Sequence, residues 1–186
     1  MTVKTSWRAA VGLGLLGLVL ALGWSCAERR DDRCRCAVGD ARVLDEQLML
    51  LLSTARSYHH QADIYLQQGD TARAMAAIRS ILALGPDGTW PEMEEVRLDA
   101  AARLAKLLLG QGKEAEALEL AERVLQGARR DSFYLANLHS VRGEVLERRA
   151  ERLKGEGKQE QARAAAREAI AAFERSITIN KKLQRR

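Results

Sequence analysis

Two prolines and a 4% share of Phe, Trp and Tyr are the first things this chain of 186 residues is short of. Few prolines leave few forced breaks in a helix. Few aromatics leave no platform on which unpaired bases could stack. Runs in which β-branched residues alternate with polar ones are also missing, so almost no sheet is expected. No phosphate-cradling glycine loop, no His-Glu-x-x-His and no nucleophile elbow occurs. The chain is therefore not expected to be an enzyme, and no catalytic residue, metal site, cofactor or small-molecule substrate is assigned to it. The only cysteines are Cys26, Cys34 and Cys36. Cys34-x-Cys36 has the donor type for a soft metal or a crosslink, but structural zinc takes four ligands and no second Cys or His pair lies nearby. Two incidental thiols in a flexible tether is the simpler reading.

What is abundant is Ala, Leu, Arg and Glu, which lose little on entering a helix. The formal net charge is +5. The basic residues alternate with Asp and Glu at helical spacing, which reads as a self-paired, solvated helix surface and not as a nucleic-acid stripe.

The amino-terminal stretch has the pattern of an export signal. Lys4 and Arg8 precede an uncharged, Leu- and Gly-rich run from Ala9 to Ala27, and Glu28 to Arg33 then follow as a charge cluster. Three fates are open. Leu22-Gly23-Trp24-Ser25-Cys26 resembles a bacterial lipoprotein lipobox, which makes Cys26 a candidate lipidation site. Ser25 suits that motif, whereas Gly23 and Trp24 depart from it. Alternatively the run, just under the roughly 20 residues of a spanning helix, stays as an anchor. Cleavage after Ala27 is the third route. The domain plan is thus a signal peptide or anchor over 1–27, a flexible tether over 28–40 and a helical domain over 41–186. The folded part is expected at a membrane, in a bacterial cell envelope or periplasm.

Three segments share one skeleton. The first runs Tyr58, Ala62, Tyr65, Gly69, Asp70, Ala74, Ile78, Ile81. The second runs Ala101, Ala105, Leu108, Gly112, Lys113, Ala117, Ala121, Val124. The third runs Leu146, Ala150, Leu153, Gly157, Lys158, Ala162, Ala166, Ala169. Steps of four and three put the apolar residues on one helix face. The glycine ends the first helix because it accepts the left-handed conformation a helix cap needs. The alanine after it lets a second helix cross closely. Each unit is a helical hairpin that buries its face only by stacking on another.

The skeleton resembles the tetratricopeptide repeat. The residues that carry the likeness are Ala62, Gly69 and Ala74, then Ala105, Gly112 and Ala117, then Ala150, Gly157 and Ala162, with Pro86 where that family often ends a repeat. The family repeats every 34 residues, whereas Gly69, Gly112 and Gly157 are 43 and 45 apart. The resemblance implies an all-α, helical-hairpin repeat solenoid of about three hairpins with elongated helices. It implies a protein–protein interaction scaffold and a groove lined by the first helix of each hairpin. Mapped onto this chain, the groove residues are Arg56, His59, Asp63, Leu66 and Gln67, then Asp99, Ala102, Lys106 and Leu109, then Glu144, Glu147, Glu151 and Lys154. The Lys and Asn clamp with which some members hold a terminal carboxylate is absent, which favours a basic or helical partner segment.

Punctuation predicts six helices, at about 41–68, 71–84, 91–110, 113–129, 132–155 and 158–184. Pro91 suits a first turn, and Asp131 or Ser132 an N-cap. Leu44, Leu48, Leu51, Ala55, Tyr58, Ala62 and Tyr65 form an unbroken heptad, widened by Met49, Leu50 and Leu52. That broad start caps the stack or recruits a partner, and it is the basis of the alternative reading, a structural subunit of a larger envelope assembly. His59 and His60 point about 100° apart on a helix, and His139 reads as a packed histidine. Phe173, Ile177 and Leu183 extend the last helix's apolar face over the end of the stack. Lys181, Lys182, Arg185 and Arg186 complement its dipole as a basic tail.

Overall fold

The computed structural model describes residues 46–85 and 90–185. Cys26, Cys34, Cys36, the leader, the tether, Leu44, Pro86 and Arg186 lie outside them. The described residues form six α-helices and no strand: α1 Glu46–Gln67, α2 Thr71–Leu82, α3 Pro91–Gly110, α4 Glu114–Gly127, α5 Phe133–Gly155 and α6 Gln159–Gln184. They fall within one compact unit, Leu44–Arg186. The fold is an all-α stack of three hairpins, α1–α2, α3–α4 and α5–α6, in which α3 also packs on α2 and α1, and α5 on α3 and α4.

The three turns inside the hairpins are one device used three times. Gly69, Gly112 and Gly157 have φ of 76°, 73° and 77°. Behind each, the next residue's N–H reaches back five residues: Asp70 to the Tyr65 carbonyl at 2.8 Å, Lys113 to Leu108 at 2.9 Å and Lys158 to Leu153 at 2.9 Å. This is the Schellman closure, which satisfies carbonyls a helix end would otherwise leave open. Pro91 opens α3, and Ser132 caps α5 by accepting the Leu135 N–H at 3.1 Å. Asp70 does the same for α2, accepting from Arg73 N–H at 2.9 Å.

Small residues sit at the crossings. Ala62, Ala74, Ala105, Ala117 and Ala121 are fully sealed, at 0% exposure. The third hairpin departs from the expected pattern. Ala162 is buried, but Ala150 is only half-buried, because no further helix covers that side of the hairpin among the described residues. A close crossing occurs at Gly143, where an added Cβ would stand 2.7 Å from the Phe173 ring. The start of α1 splits likewise: Leu48 is buried while Met49 and Leu50 are 48% and 63% exposed.

The last helix also differs from expectation. Ala165, Ala169, Ala172, Ser176 and Ile179 form its buried face. Ser140 donates to Ser176 Oγ at 2.8 Å, which satisfies that buried hydroxyl. Ile177 lies outside this stripe and is solvent-exposed. Lys182 is not part of a free tail, since it bonds to Asp131 at the base of α5.

Charge interleaving has a structural counterpart in ion pairs between hairpins. Arg152 donates to Glu114 at 2.9 Å and Arg142 to Glu122 at 2.8 Å, linking α5 to α4. Arg97 donates to the Leu84 and Gly85 carbonyls at 2.6 and 2.8 Å, tying the end of the first hairpin to α3. Among the described residues, no group of His, Cys, Asp or Glu could hold a metal ion, and no helix is long and apolar enough to cross a membrane.

Candidate protein-binding groove

The first helices of the hairpins, α1, α3 and α5, contact one another in sequence order. Their facing residues build a polar seam. Arg103 on α3 reaches α1 with both ends of its guanidinium: Nη1 is 2.7 Å from His59 Nδ1, and Nη2 donates to Asp63 Oδ1 at 2.5 Å. A guanidinium only donates, so Nδ1 must accept, and the imidazole proton belongs on Nε2. That nitrogen stands 3.8 Å from Asp99 Oδ2. The neutral ring is favoured: burial lowers the His59 pKa first, the Arg103 charge lowers it further, and Asp99 and Asp63 oppose both. Farther along, Lys106 Nζ lies 3.5 Å from Glu144 Oε1, joining α3 to α5.

Five of the expected groove residues thus come together across hairpins: His59 and Asp63 through Arg103, Asp99 against the far side of the His59 ring, and Lys106 with Glu144. Arg56 and Gln67 lie exposed on α1, and Leu66 and Leu109 are half-buried. Ala102 is buried and lines no surface, because α3 has neighbouring hairpins on both sides. Glu147, Glu151 and Lys154 border a different cleft, of about 480 Å³, between α5 and α6. His60 is exposed, in keeping with its turn away from His59, and His139 is half-buried, with a pKa lowered by burial and then by Arg175 and Arg142.

Where the three first helices begin to converge, a cleft of about 310 Å³ opens. Leu52 and His59 of α1, Val96 of α3 and Tyr134 of α5 supply apolar surface, and Glu92, Glu95 and Asp99 supply carboxylates. Sequence reasoning missed Glu92, Glu95, Val96, Arg103 and Tyr134 as groove residues. A signal was available for two of them: Glu92 and Glu95 lead by steps of three and four to Asp99, the spacing of one helix face. Arg103 gave none, since its role depends on which residues of α1 it meets.

This arrangement can hold a chain segment with an apolar anchor flanked by positive charge. It offers no nucleophile with an adjacent base. Comparison with known families agrees with the architecture. Residues 55–87, from within α1 through the end of α2, match the tetratricopeptide repeat. The chain therefore carries a tetratricopeptide repeat in its first hairpin, and the second and third hairpins reproduce that hairpin's turn. Such repeats generally mediate contacts between proteins and are typically not enzymatic. None of the curated proteins searched matches the chain.

Proposed function

We propose that this protein is a membrane-tethered scaffold of the cell envelope that captures a basic, apolar-anchored segment of a partner protein in the cleft between α1, α3 and α5. The observation that carries this reading is the cleft's make-up, apolar surface from Leu52, Val96 and Tyr134 beside the carboxylates of Glu92, Glu95 and Asp99. Carboxylates in a cleft steer a basic partner and fix its register, while apolar contacts supply most of the affinity. The tether is the amino-terminal run after Lys4 and Arg8, with lipidation at Cys26, an uncleaved anchor and cleavage after Ala27 as its three routes. The sequence pattern supports that part of the proposal.

Crosslinking in cells, followed by identification of co-purifying proteins, tests it. The double variant Glu92→Lys/Glu95→Lys should lose the crosslinked partner while keeping its helix content. Unchanged capture would remove this cleft from consideration. Mass spectrometry of the mature amino terminus decides the tether: a diacylglyceryl adduct on Cys26 selects lipidation, and an intact Met1 selects the anchor.

A second reading, a permanent subunit of a larger envelope assembly, draws on the exposed Met49 and Leu50 at the start of α1. Met49→Ser/Leu50→Ser should release the partner under that reading and spare it under the first.

A further inference from the structure

The cleft between the first helices holds one group whose charge changes near neutral pH, and its resting state follows from donor chemistry. Arg103 places Nη1 2.7 Å from His59 Nδ1 while Nη2 donates to Asp63. A guanidinium has no lone pair to offer, so that contact exists only while Nδ1 carries no proton. On the far side of the ring, Nε2 stands 3.8 Å from Asp99 Oδ2. His59 and Asp99 both line the cleft, with Glu92 and Glu95 beside them. The charged and titratable groups around the ring are Asp63 and His60 from its own helix, Asp99 and Arg103 from α3, and Tyr134 of α5 across the cleft.

A second proton changes two contacts at once. The imidazolium donates from both nitrogens, so Nδ1 and Arg103 Nη1 become opposed donors on two cations, and that contact is lost. Nε2–H becomes a charged partner for Asp99. Arg103 keeps Asp63. The cleft thus gains one positive charge, set against one of the carboxylates that would meet a basic segment. Burial and then Arg103 favour the neutral ring, against Asp99 and Asp63, which puts the change on the acid side of the ordinary imidazole range.

We infer that His59 is a proton switch for this cleft. Neutral, it leaves Asp99 to a basic segment; protonated, it takes Asp99 for itself and repels that segment, so acid releases the partner. This regulation rests on the capture of a basic segment proposed for the same cleft. Protonation and binding then oppose each other, and linkage makes the opposition reciprocal. A ligand held about tenfold less tightly by the protonated form must lower the ring's own midpoint by about one pH unit.

A histidine-selective NMR titration of the full chain in neutral detergent tests it, run with and without a saturating dye-labelled peptide of two leucines flanked by lysines. The His59 signal is assigned by its loss in His59→Gln. The peptide should bind about tenfold or more weakly once the ring is protonated, and its presence should lower the His59 midpoint by about one unit while leaving His139 unmoved. His59→Gln should lose the affinity step at that midpoint, whatever its affinity at neutral pH. A peptide that Glu92→Lys/Glu95→Lys releases, but that binds both states of the ring equally or leaves the His59 midpoint in place, would overturn the switch and leave the capture standing. A peptide that the wild type does not bind, or that the double variant binds as well, would take down the capture and the switch together.

Discussion

The second and third hairpins carry nearly the same skeleton and the same turn, yet their alanines end in different surroundings. Ala105 and Ala117 are sealed at 0% exposure, while Ala150 is half-buried and Ala162 borders an open cleft. The hairpin itself is a local product of Gly112 or Gly157 and the spacing around it. Burial is a property of the neighbours, and the third hairpin has a neighbour on one side only among the described residues. A stacked repeat thus separates two contributions that most folds mix, the intrinsic stability of a unit and the interface between units.

The comparison is broken most severely by removing side chains from each face. Leu104 is buried in α3 and Ile170 is exposed on α6. Leu104→Ala should cost roughly 2–5 kcal/mol. Ile170→Ala should change stability by no more than about 0.5 kcal/mol. Urea denaturation checks both. Similar losses at the two sites would mean that the third hairpin is covered after all.

The turns should respond alike. Gly112 and Gly157 have nearly equal positive φ, and a Cβ added at either meets nothing within 4 Å. Gly112→Ala and Gly157→Ala should therefore each cost about 1–2 kcal/mol, from backbone strain alone. A marked difference between them would show that the turn is not the local device described above.

The smallest effect is the response to acid. His59 and His139 both have pKa values lowered below the ordinary imidazole value, chiefly by burial. The unfolded chain then binds more protons than the folded one once the pH falls below about 6.5. Stability from these two rings is complete above that point and declines as the pH drops toward their folded values. His59→Gln should flatten part of the decline and leave stability at pH 8 little changed. Thermal melts at several pH values would show it, and an unchanged acid slope would remove His59 from the account.

Much of the architecture was legible along the chain. Apart from the start of the first helix, whose predicted residues 41–45 lie outside the described ones, the six helices start and end within a few residues of their predicted limits, because Gly69, Gly112, Gly157, Pro91 and Ser132 are local signals whose chemistry acts on the backbone around them. The candidate groove was legible only in part. His59 faces Asp99 and Lys106 faces Glu144 across the hairpins, yet Arg103, which joins His59 to Asp63, was passed over. Ala102 and Glu147 share helical registers with groove residues but face elsewhere. Helical periodicity assigns a residue to a face; which helix that face meets depends on crossing geometry between hairpins, and no single helix encodes it. The same limit hid the half-exposure of Ala150, whose local pattern is that of Ala105.

The most direct test of the stacked-hairpin account replaces one alanine in each hairpin by a larger residue and compares the denaturation midpoints. Ala105→Leu forces a side chain into a sealed crossing and should cost about 1–3 kcal/mol, whereas Ala150→Leu projects into an open cleft and should cost less than about 1 kcal/mol. Equal losses at the two positions, or a fully tolerated Ala105→Leu, would contradict it.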